Sequence, residues 1–440
     1  MKVLHLLGWY FPDNVGGTEV YVAELARRQH AAGFDVSIAA PRVGIDHAEE
    51  YTWAETQVFR YPVPAAATRD EVQGVVPIPG HRDLVRWLER HRPAVVHVHT
   101  LSTGITLHDI RAARAAGAHV VFTAHLPALG FICQRGTLLR WGHEACDGML
   151  HIGRCAACAL QDRGMPLPFA RAVAAVTRPF GASIAGLPGR IGTTLGMPAL
   201  IAANRRRQQE LVDLVAWFVV LNQRAKEIVL ANGAPADKVT VNRLGVGFES
   251  SGWPPANRAV GSPVRVGFVG RLHPTKGVHV LARAVSELPP DAGIRLEILG
   301  PDGDPALVRT LKAAAARDPR IVLGPAVPRD QMAEALRRFD VLCCPSLWFE
   351  NGPTVALEAQ AVGTPVIGSD FGAIPEIVQD HVNGRVVPPG DWRALRAVLA
   401  ELAANPSLIT RWRHSLVRPR TMDDVSDDYL AMYGDLVGAA

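Results

Sequence analysis

The 440-residue chain lacks any run of eighteen uninterrupted apolar residues, so nothing in it reads as a membrane span. Its charge is nearly balanced, 46 Lys and Arg against 42 Asp and Glu. A net +4 is too weak over this length to argue for nucleic acid, and no basic helix or arginine–aromatic interleaving stands out. The start, MKVLHLLGWYFPDN, has one lysine, a short apolar run and no small-residue cleavage site, so it reads as a first strand rather than an export signal. Cysteine is scarce, six in all, yet four fall within the 26 residues 133–158. Without an export signal, that clustering favours a reducing compartment and a metal over a disulfide scaffold. Two nucleotide fingerprints are missing as well. In GFVGRLHPTKG (267–277) the lysine precedes its glycine and no Ser or Thr follows the pair, which excludes a Walker A loop, and no G-x-G-x-x-G follows the first strand.

What is present is ordinary globular composition, 48% hydrophobic and 20% charged, at a length that suggests two or three domains. Apolar runs alternate with helical patterns. VLHLLG (3–8), DVSIAA (35–40), AVVHVHT (94–100), HVVFTAH (119–125) and WFVVLN (217–222) read as buried strands. Thr18 is the expected cap of a helix that stops at Gly33. A second series follows the stretch SSGWPPANRAVGSP (250–263): VRVGFVG (264–270), RLEILG (295–300), RIVLG (320–324), DVLCCPS (340–346) and PVIGSD (365–370). The expected fold class is therefore α/β, with two doubly wound, Rossmann-like parallel-sheet domains and a linker near 245–263. The first domain is expected over 1–249, with a cysteine-bearing insertion at about 126–210. The second is expected over 250–415, with a C-terminal helix over 416–440 that could pack back on the first. Ligands of such sheets bind at the carboxyl ends of strands, so the chemistry belongs in the loops after them.

Two of those loops stand out. Arg271 and Lys276 follow the strand that ends at Gly270, and such a pair can neutralise a diphosphate, Arg as a fork and Lys as a point charge. ENGPTVALE (350–358) places Glu350, Asn351 and Gly352 in a loop, with Pro353 suited to the first helical turn and Glu358 inside the helix. Free amides at such a start favour an anion, and Gly352 permits close approach to the main chain. Carboxylates beside phosphate would be repelled, so the two glutamates should face hydroxyls. A sugar nucleotide offers these at two points. The plain alternative is a solvated helix N-terminus with favourable acidic residues.

Together VGGTE, GRLHPTKG and ENGPTVALEAQAVGTPVIGSDFGAIPEIV resemble the retaining glycosyltransferases of family four, whose fold is GT-B, with two domains facing across a cleft. The resemblance spans most of 1–45, 90–125 and 215–440 and leaves 126–210 unaccounted for. It implies that Arg271 and Lys276 hold the diphosphate of a nucleotide-sugar donor of UDP- or GDP-sugar type. Glu350 would approach the transferred sugar, Asn351, Gly352, Pro353 and Thr354 would form the turn around sugar and phosphate, and Glu358 would accept from the ribose. Gly16 and Gly17 would let the N-terminal loop approach the donor, and His125 would stand beside the reacting sugar. The implied reaction is transfer, with retention and no catalytic metal, to a sugar, lipid-linked or small-molecule acceptor hydroxyl. The implied setting is cytoplasmic, up to the inner face of the membrane. No carboxylate nucleophile is identifiable. A sugar-nucleotide epimerase and a non-catalytic sugar-nucleotide-binding protein are the alternatives.

The remaining features carry less. Cys133, Cys146, Cys155 and Cys158 form C-x12-C-x8-C-x2-C, a set suited to a structural zinc ion or an iron–sulfur cluster. Cys343 and Cys344 read as packing. Asp302 and Asp304 form a D-x-D, the manganese-site pattern of a different glycosyltransferase fold, here after the strand RLEILG where the resembling family has a Gly-rich turn. DDVSDD (423–428) reads as an acidic helix start. His97 and His99 share a strand face, with no third ligand evident and hydrogen-bonded core histidines the simpler reading. The Gly- and Ala-rich part of the insertion, with Arg205, Arg206 and Arg207, is a candidate for peripheral membrane contact, with a plain helical acceptor lid as the alternative.

Overall fold

The structure is a computed structural model and describes residues 1–13, 16–180, 187, 189–247 and 262–438. Most of the expected linker (248–261) lies outside the described residues, as does 181–186 within the insertion. The chain divides into two compact units, Met1–Arg243 together with Met422–Ala440, and Leu244–Thr421.

The first unit is built on an eight-stranded sheet in the order β10-β9-β6-β5-β1-β2-β4-β3. Its strands are β1 (Lys2–Leu6), β2 (Asp35–Val43), β3 (Glu49–Trp53), β4 (Thr56–Val63), β5 (Val95–Val98), β6 (His119–Thr123), β9 (Trp217–Val220) and β10 (Val239–Val241). All pairs are parallel except β3 with β4. The continuous apolar runs are strands buried on both faces, as parallel strands must be when helices cover them. The sequence reading passed over β3 and β4, where Glu49, Glu50 and Arg60 break the apolar run. β3 is an antiparallel edge strand and largely exposed. The helix Gly17–Ala31 starts one residue before the expected cap: Gly16 is the N-cap, without a side-chain bond, and Thr18 lies inside the first turn.

The insertion is helical. A two-stranded ribbon, β7 (Leu139–Arg140) with β8 (Glu144–Ala145), precedes the helices Ile152–Asp162, Leu167–Thr177, Gly189–Leu195 and Met197–Leu214. Alanines and Leu160 of the first of these pack with Trp141, Ala170, Ala174, Met197 and Ile201 into a small core of their own. The C-terminal helix Met422–Gly438 belongs to this first unit, where Tyr429 reaches the Thr123 hydroxyl at 2.9 Å.

The second unit carries a six-stranded, all-parallel sheet in the order β13-β12-β11-β14-β15-β16. These are β11 (Val264–Val269), β12 (Ile294–Leu299), β13 (Ile321–Gly324), β14 (Val341–Cys344), β15 (Val366–Ser369) and β16 (Gly384–Val387). This is the doubly wound order, with the order of strand addition reversing between β11 and β14. In the first unit the equivalent reversal falls between β1 and β5.

Candidate functional site

A doubly wound sheet splays its helices to opposite faces where the strand order reverses, leaving a crevice at the carboxyl ends of the two central strands. In the second unit those ends belong to β11 and β14, and the loops after them are 270–277 and 345–353. The two motif loops therefore share one crevice. They are also bonded to each other, Leu347 N donating to Thr275 O at 2.8 Å. Gly277 adopts φ +69°, and a Cβ there would sit 1.8 Å from Pro345 O, so only glycine lets the loops close up.

Within that crevice Lys276 Nζ lies 2.8 Å from Glu350 Oε1. The same oxygen accepts from Trp348 Nε1 at 2.9 Å and from the Ser346 hydroxyl. Lys276 also stands over the Trp348 ring, 5.0 Å from its centroid. Glu350 is buried, which on its own opposes ionisation, but the Lys276 charge and the three donors outweigh this and hold the carboxyl below its ordinary range. Its backbone is gripped as well. Ala373 N donates to Glu350 O at 2.7 Å, and Gly372 (φ +68°) passes so close that a Cβ would meet Glu350 O at 2.3 Å. The 370–373 loop was not singled out from sequence as a support for Glu350.

Arg271 is exposed and makes no hydrogen bond or ion pair among the described residues. Asn351 is buried, and Gly352 leads to Pro353. Pro353 is the N-cap rather than a first-turn residue, and the helix runs Thr354–Ala361. Glu358 lies within it, buried, with Arg329 Nη1 3.6 Å from Oε1. Burial raises its titration, partly offset by Arg329. The two glutamates thus differ: Glu350 has one oxygen fully engaged, whereas Glu358 accepts no hydrogen bond among the described residues. A buried carboxylate in that state favours a donor such as a hydroxyl.

The D-x-D is committed to structure at one of its two carboxylates. Asp304 caps the helix Pro305–Arg317 by accepting from Leu307 N at 2.8 Å, and Gly303 packs on Leu272 O beside Arg271. Asp423 and Asp424 stand in the first turn of their helix, Asp423 bonded to Arg28.

In the first unit the strand ends at the reversal carry Gly16, Gly17 and His99. A Cβ on Gly16 would lie 2.5 Å from Glu19 Oε2, whereas Gly17 faces open space. Beyond β6, half-buried His125 turns its Nε2 toward His99 Nδ1 at 3.0 Å. His99 Nε2 meets His5 Nδ1 at 2.9 Å, and His5 Nε2 meets Gln29 Oε1 at 2.8 Å. His97 is bonded on both sides, to the Tyr433 hydroxyl at 2.5 Å and to Thr123 Oγ1 at 2.7 Å. Burial lowers the titration of His5 to about 4 and of His125 to about 3, and pulls His97 and His99 down as well. A third histidine, His5, does join His97 and His99, with ligand atoms mutually within 4.8 Å. All six of their ring nitrogens are already in hydrogen bonds, so the trio is a satisfied buried cluster rather than a metal centre. His5 escaped the sequence reading because it comes from a different strand, β1, in register with His97.

The four clustered cysteines line one small cavity, together with Arg135, Arg140 and Arg154. All are free thiols. Trp141 N donates to Cys158 Sγ at 3.4 Å, and burial pushes the Cys155 thiol up to about 11. The sulfurs share the cavity, but no three of them meet the mutual 4.8 Å spacing that the histidines do.

Comparison with known proteins accords with this geometry. Residues 15–173 match the family model Glycosyltransferase Family 4, and residues 253–415 match the model Glycosyl transferases group 1. A D-inositol 3-phosphate glycosyltransferase of Mycolicibacterium vanbaalenii is 31% identical over 252 residues, covering 52% of this chain and 54% of that protein. The amylovoran biosynthesis glycosyltransferase AmsK of Erwinia amylovora is 31% identical over 181 residues, covering 40% and 44%. The chain thus spans about half the length of the curated relatives it matches. Among solved structures, sucrose-phosphate synthase from Thermosynechococcus elongatus superposes with TM-score 0.65 at 16% identity, covering all of both chains. Anabaena HepE in complex with UDP gives 0.63 at 14%, covering 99% of this chain and 100% of that one. The fold is GT-B, and each of the two units carries a match to one glycosyltransferase domain model.

Proposed function

We propose that the protein transfers a sugar, with retained anomeric configuration, from a nucleoside-diphosphate sugar of UDP- or GDP-sugar type to an acceptor hydroxyl. The observation that carries this reading is the crevice between β11 and β14, where Arg271 and Lys276 stand beside the Glu350 loop and the start of the Thr354–Ala361 helix. Cleavage of a sugar–phosphate bond leaves growing negative charge on the diphosphate, which Lys276, already held at the crevice by Glu350, and the exposed Arg271 fork stabilise. Glu350 faces the sugar through its second oxygen, held in place by Lys276, Ser346 and Trp348. Asn351, Gly352, Pro353 and Thr354 form the turn around the sugar and phosphate, and Glu358 takes the ribose hydroxyls. Gly16 and Gly17 admit the donor, His125 stands beside the reacting sugar, and catalysis needs no metal. HepE with UDP and with UDP-glucose, the latter pair at TM-score 0.62, supports a uridine donor as the first probe.

The test is a thermal-shift screen of nucleoside diphosphates and their sugars, followed by incubation with the stabilising donor alone and with candidate acceptors. Epimerised sugar from the donor alone would overturn transfer in favour of an epimerase. Tight donor binding with no product from any acceptor would favour a binding protein.

For the acceptor side we propose contact with an anionic bilayer and a lipid-linked acceptor, on the cytoplasmic face. No helix among the described residues is long and apolar enough to cross a membrane. The insertion, however, exposes Phe169, Val176, Phe180 and Ile191 at 62–70%. From 163 to 209 the sequence has arginines at 163, 171, 178, 190, 205, 206 and 207 and no acid at all. Apolar side chains ringed by cations suit an anionic lipid surface. Flotation with phosphatidylglycerol vesicles, but not phosphatidylcholine vesicles, and its loss in Phe169→Ser/Ile191→Ser, is the expected result. Equal behaviour on both vesicles would remove the proposal.

For the four cysteines we propose a structural zinc ion or iron–sulfur cluster that draws the sulfurs together in their shared cavity, with the three arginines offsetting thiolate charge. Elemental analysis should find zinc or iron at one site per chain. Metal-free protein of unchanged stability would reject it.

A further inference from the structure

Resting on the reading of His125 as the histidine beside the reacting sugar, we infer that Gln29 is a positioning residue that sets the tautomer of His125 through His5 and His99. The chain of bonds is Gln29 Oε1–His5 Nε2 (2.8 Å), His5 Nδ1–His99 Nε2 (2.9 Å) and His99 Nδ1–His125 Nε2 (3.0 Å). A neutral imidazole carries one donor and one acceptor, so a line of them has a single direction and two possible polarities. The terminal group selects between them. The Gln29 amide oxygen can only accept, so His5 donates from Nε2 and keeps its lone pair on Nδ1. His99 must then donate from Nε2 to that lone pair, and His125 must donate from Nε2 to His99.

All three rings are therefore Nε2–H tautomers, and His125 ends the line with an unprotonated Nδ1. That nitrogen has no hydrogen-bond partner among the described residues, and His125 is the half-buried member while His5, His99 and Gln29 are fully buried. The Gln29 side chain also bonds the Tyr433 hydroxyl and partly offsets the rise that burial causes in its titration, the effect of a donating amide nitrogen, which leaves the amide oxygen to accept from His5. Burial without a carboxylate neighbour keeps every ring neutral. His125 thus presents a lone pair, which accepts from a sugar hydroxyl, and neither a proton nor a positive charge, which would favour the diphosphate. In this role histidine is an orienting acceptor and not an acid.

Long-range proton–nitrogen correlation spectra of protein labelled with nitrogen-15 in histidine read the tautomers directly and need no substrate. In the unaltered protein the expected pattern is Nε2–H with bare Nδ1 at His5, His99 and His125. Nδ1–H at His125 overturns the inference, whatever the enzyme's activity. Gln29→Leu removes the terminal acceptor and should give His125 a mixed or reversed pattern. Gln29→Met keeps the shape of the side chain without the amide oxygen and should give the same change, covering the case in which Gln29→Leu fails to fold. With a competent donor and acceptor, Gln29→Leu should lower kcat about tenfold with little change in KM, the size of one hydrogen bond made in the transition state. A reversed His125 tautomer with unchanged kcat would overturn the positioning role while leaving the glycosyltransferase reading intact.

Discussion

Lys276 Nζ lies 2.8 Å from Glu350 Oε1, so a cation expected to meet the diphosphate and a carboxylate expected to meet the sugar are ion-paired with each other. Lys276 then has two tasks. It neutralises a buried carboxylate and, with that charge placed at the crevice, is held where an incoming diphosphate would find it.

Replacing Lys276 by Ala should therefore cost stability as well as binding. Glu350 would remain buried without its counter-charge, a loss of about 1–3 kcal/mol given that Lys276 retains some solvent contact. Thermal melts of Lys276→Ala, Glu350→Gln and the double variant should show the double recovering part of the loss. Strict additivity would mean that the pair is not coupled.

Glu350→Gln should fold, because its side-chain oxygen can still accept from Ser346 and Trp348. Transfer should fall roughly 100-fold or more, the scale seen when one transition-state partner is removed. The check is a rate assay beside a melt, and the expected outcome is a large loss of rate with a small change in melting point.

Much of this site was legible in sequence because its parts are local. GRLHPTKG and ENGPTVALE each sit in one loop after one strand, and the alternation of strands and helices places both loops at carboxyl ends. What stayed hidden depends on pairing between distant segments. The Lys276–Glu350 bond joins residues 74 apart, and His5 meets His99 across 94. The helical insertion was unreadable because alanine and glycine dominate it, and its helices are amphipathic only toward one another. β3 was missed because an exposed edge strand need not be apolar, and β4 because buried Arg60, bonded to Tyr10 O, interrupts its apolar run.

Gly372→Ala tests the grip on the Glu350 backbone. The residue sits at φ +68°, and the new methyl group would meet Glu350 O at 2.3 Å and N at 2.6 Å. Stability should drop by about 2–4 kcal/mol, with loss of activity in whatever folded protein remains. Wild-type melting and wild-type rate together would mean that the loop yields without moving Glu350.

The buried histidines give a pH signature. His5 titrates at about 4 and His125 at about 3 in the folded protein, against an ordinary 6.5 in the unfolded chain. Between those values the unfolded state binds more protons, so stability is fully present above pH 6.5 and is lost as pH falls toward 4 and then 3. Urea melts over that range should show the loss, and it should be smaller in His5→Asn. A stability flat from pH 6.5 to 4 would mean that these rings ionise freely when folded.

The central claim is that the β11 and β14 loops grip a diphosphate, and Arg271 offers its cleanest probe because it has no partner among the described residues to lose. UDP and GDP titrated calorimetrically into the unaltered protein, Arg271→Ala and Arg271→Ala/Lys276→Ala should reveal a nucleotide that binds. Its affinity should weaken about tenfold in the single variant and about 100-fold or more in the double, the scale of lost charge-assisted hydrogen bonds. Unchanged affinity in the double variant, or no binding of either nucleotide to the unaltered protein, would contradict the account.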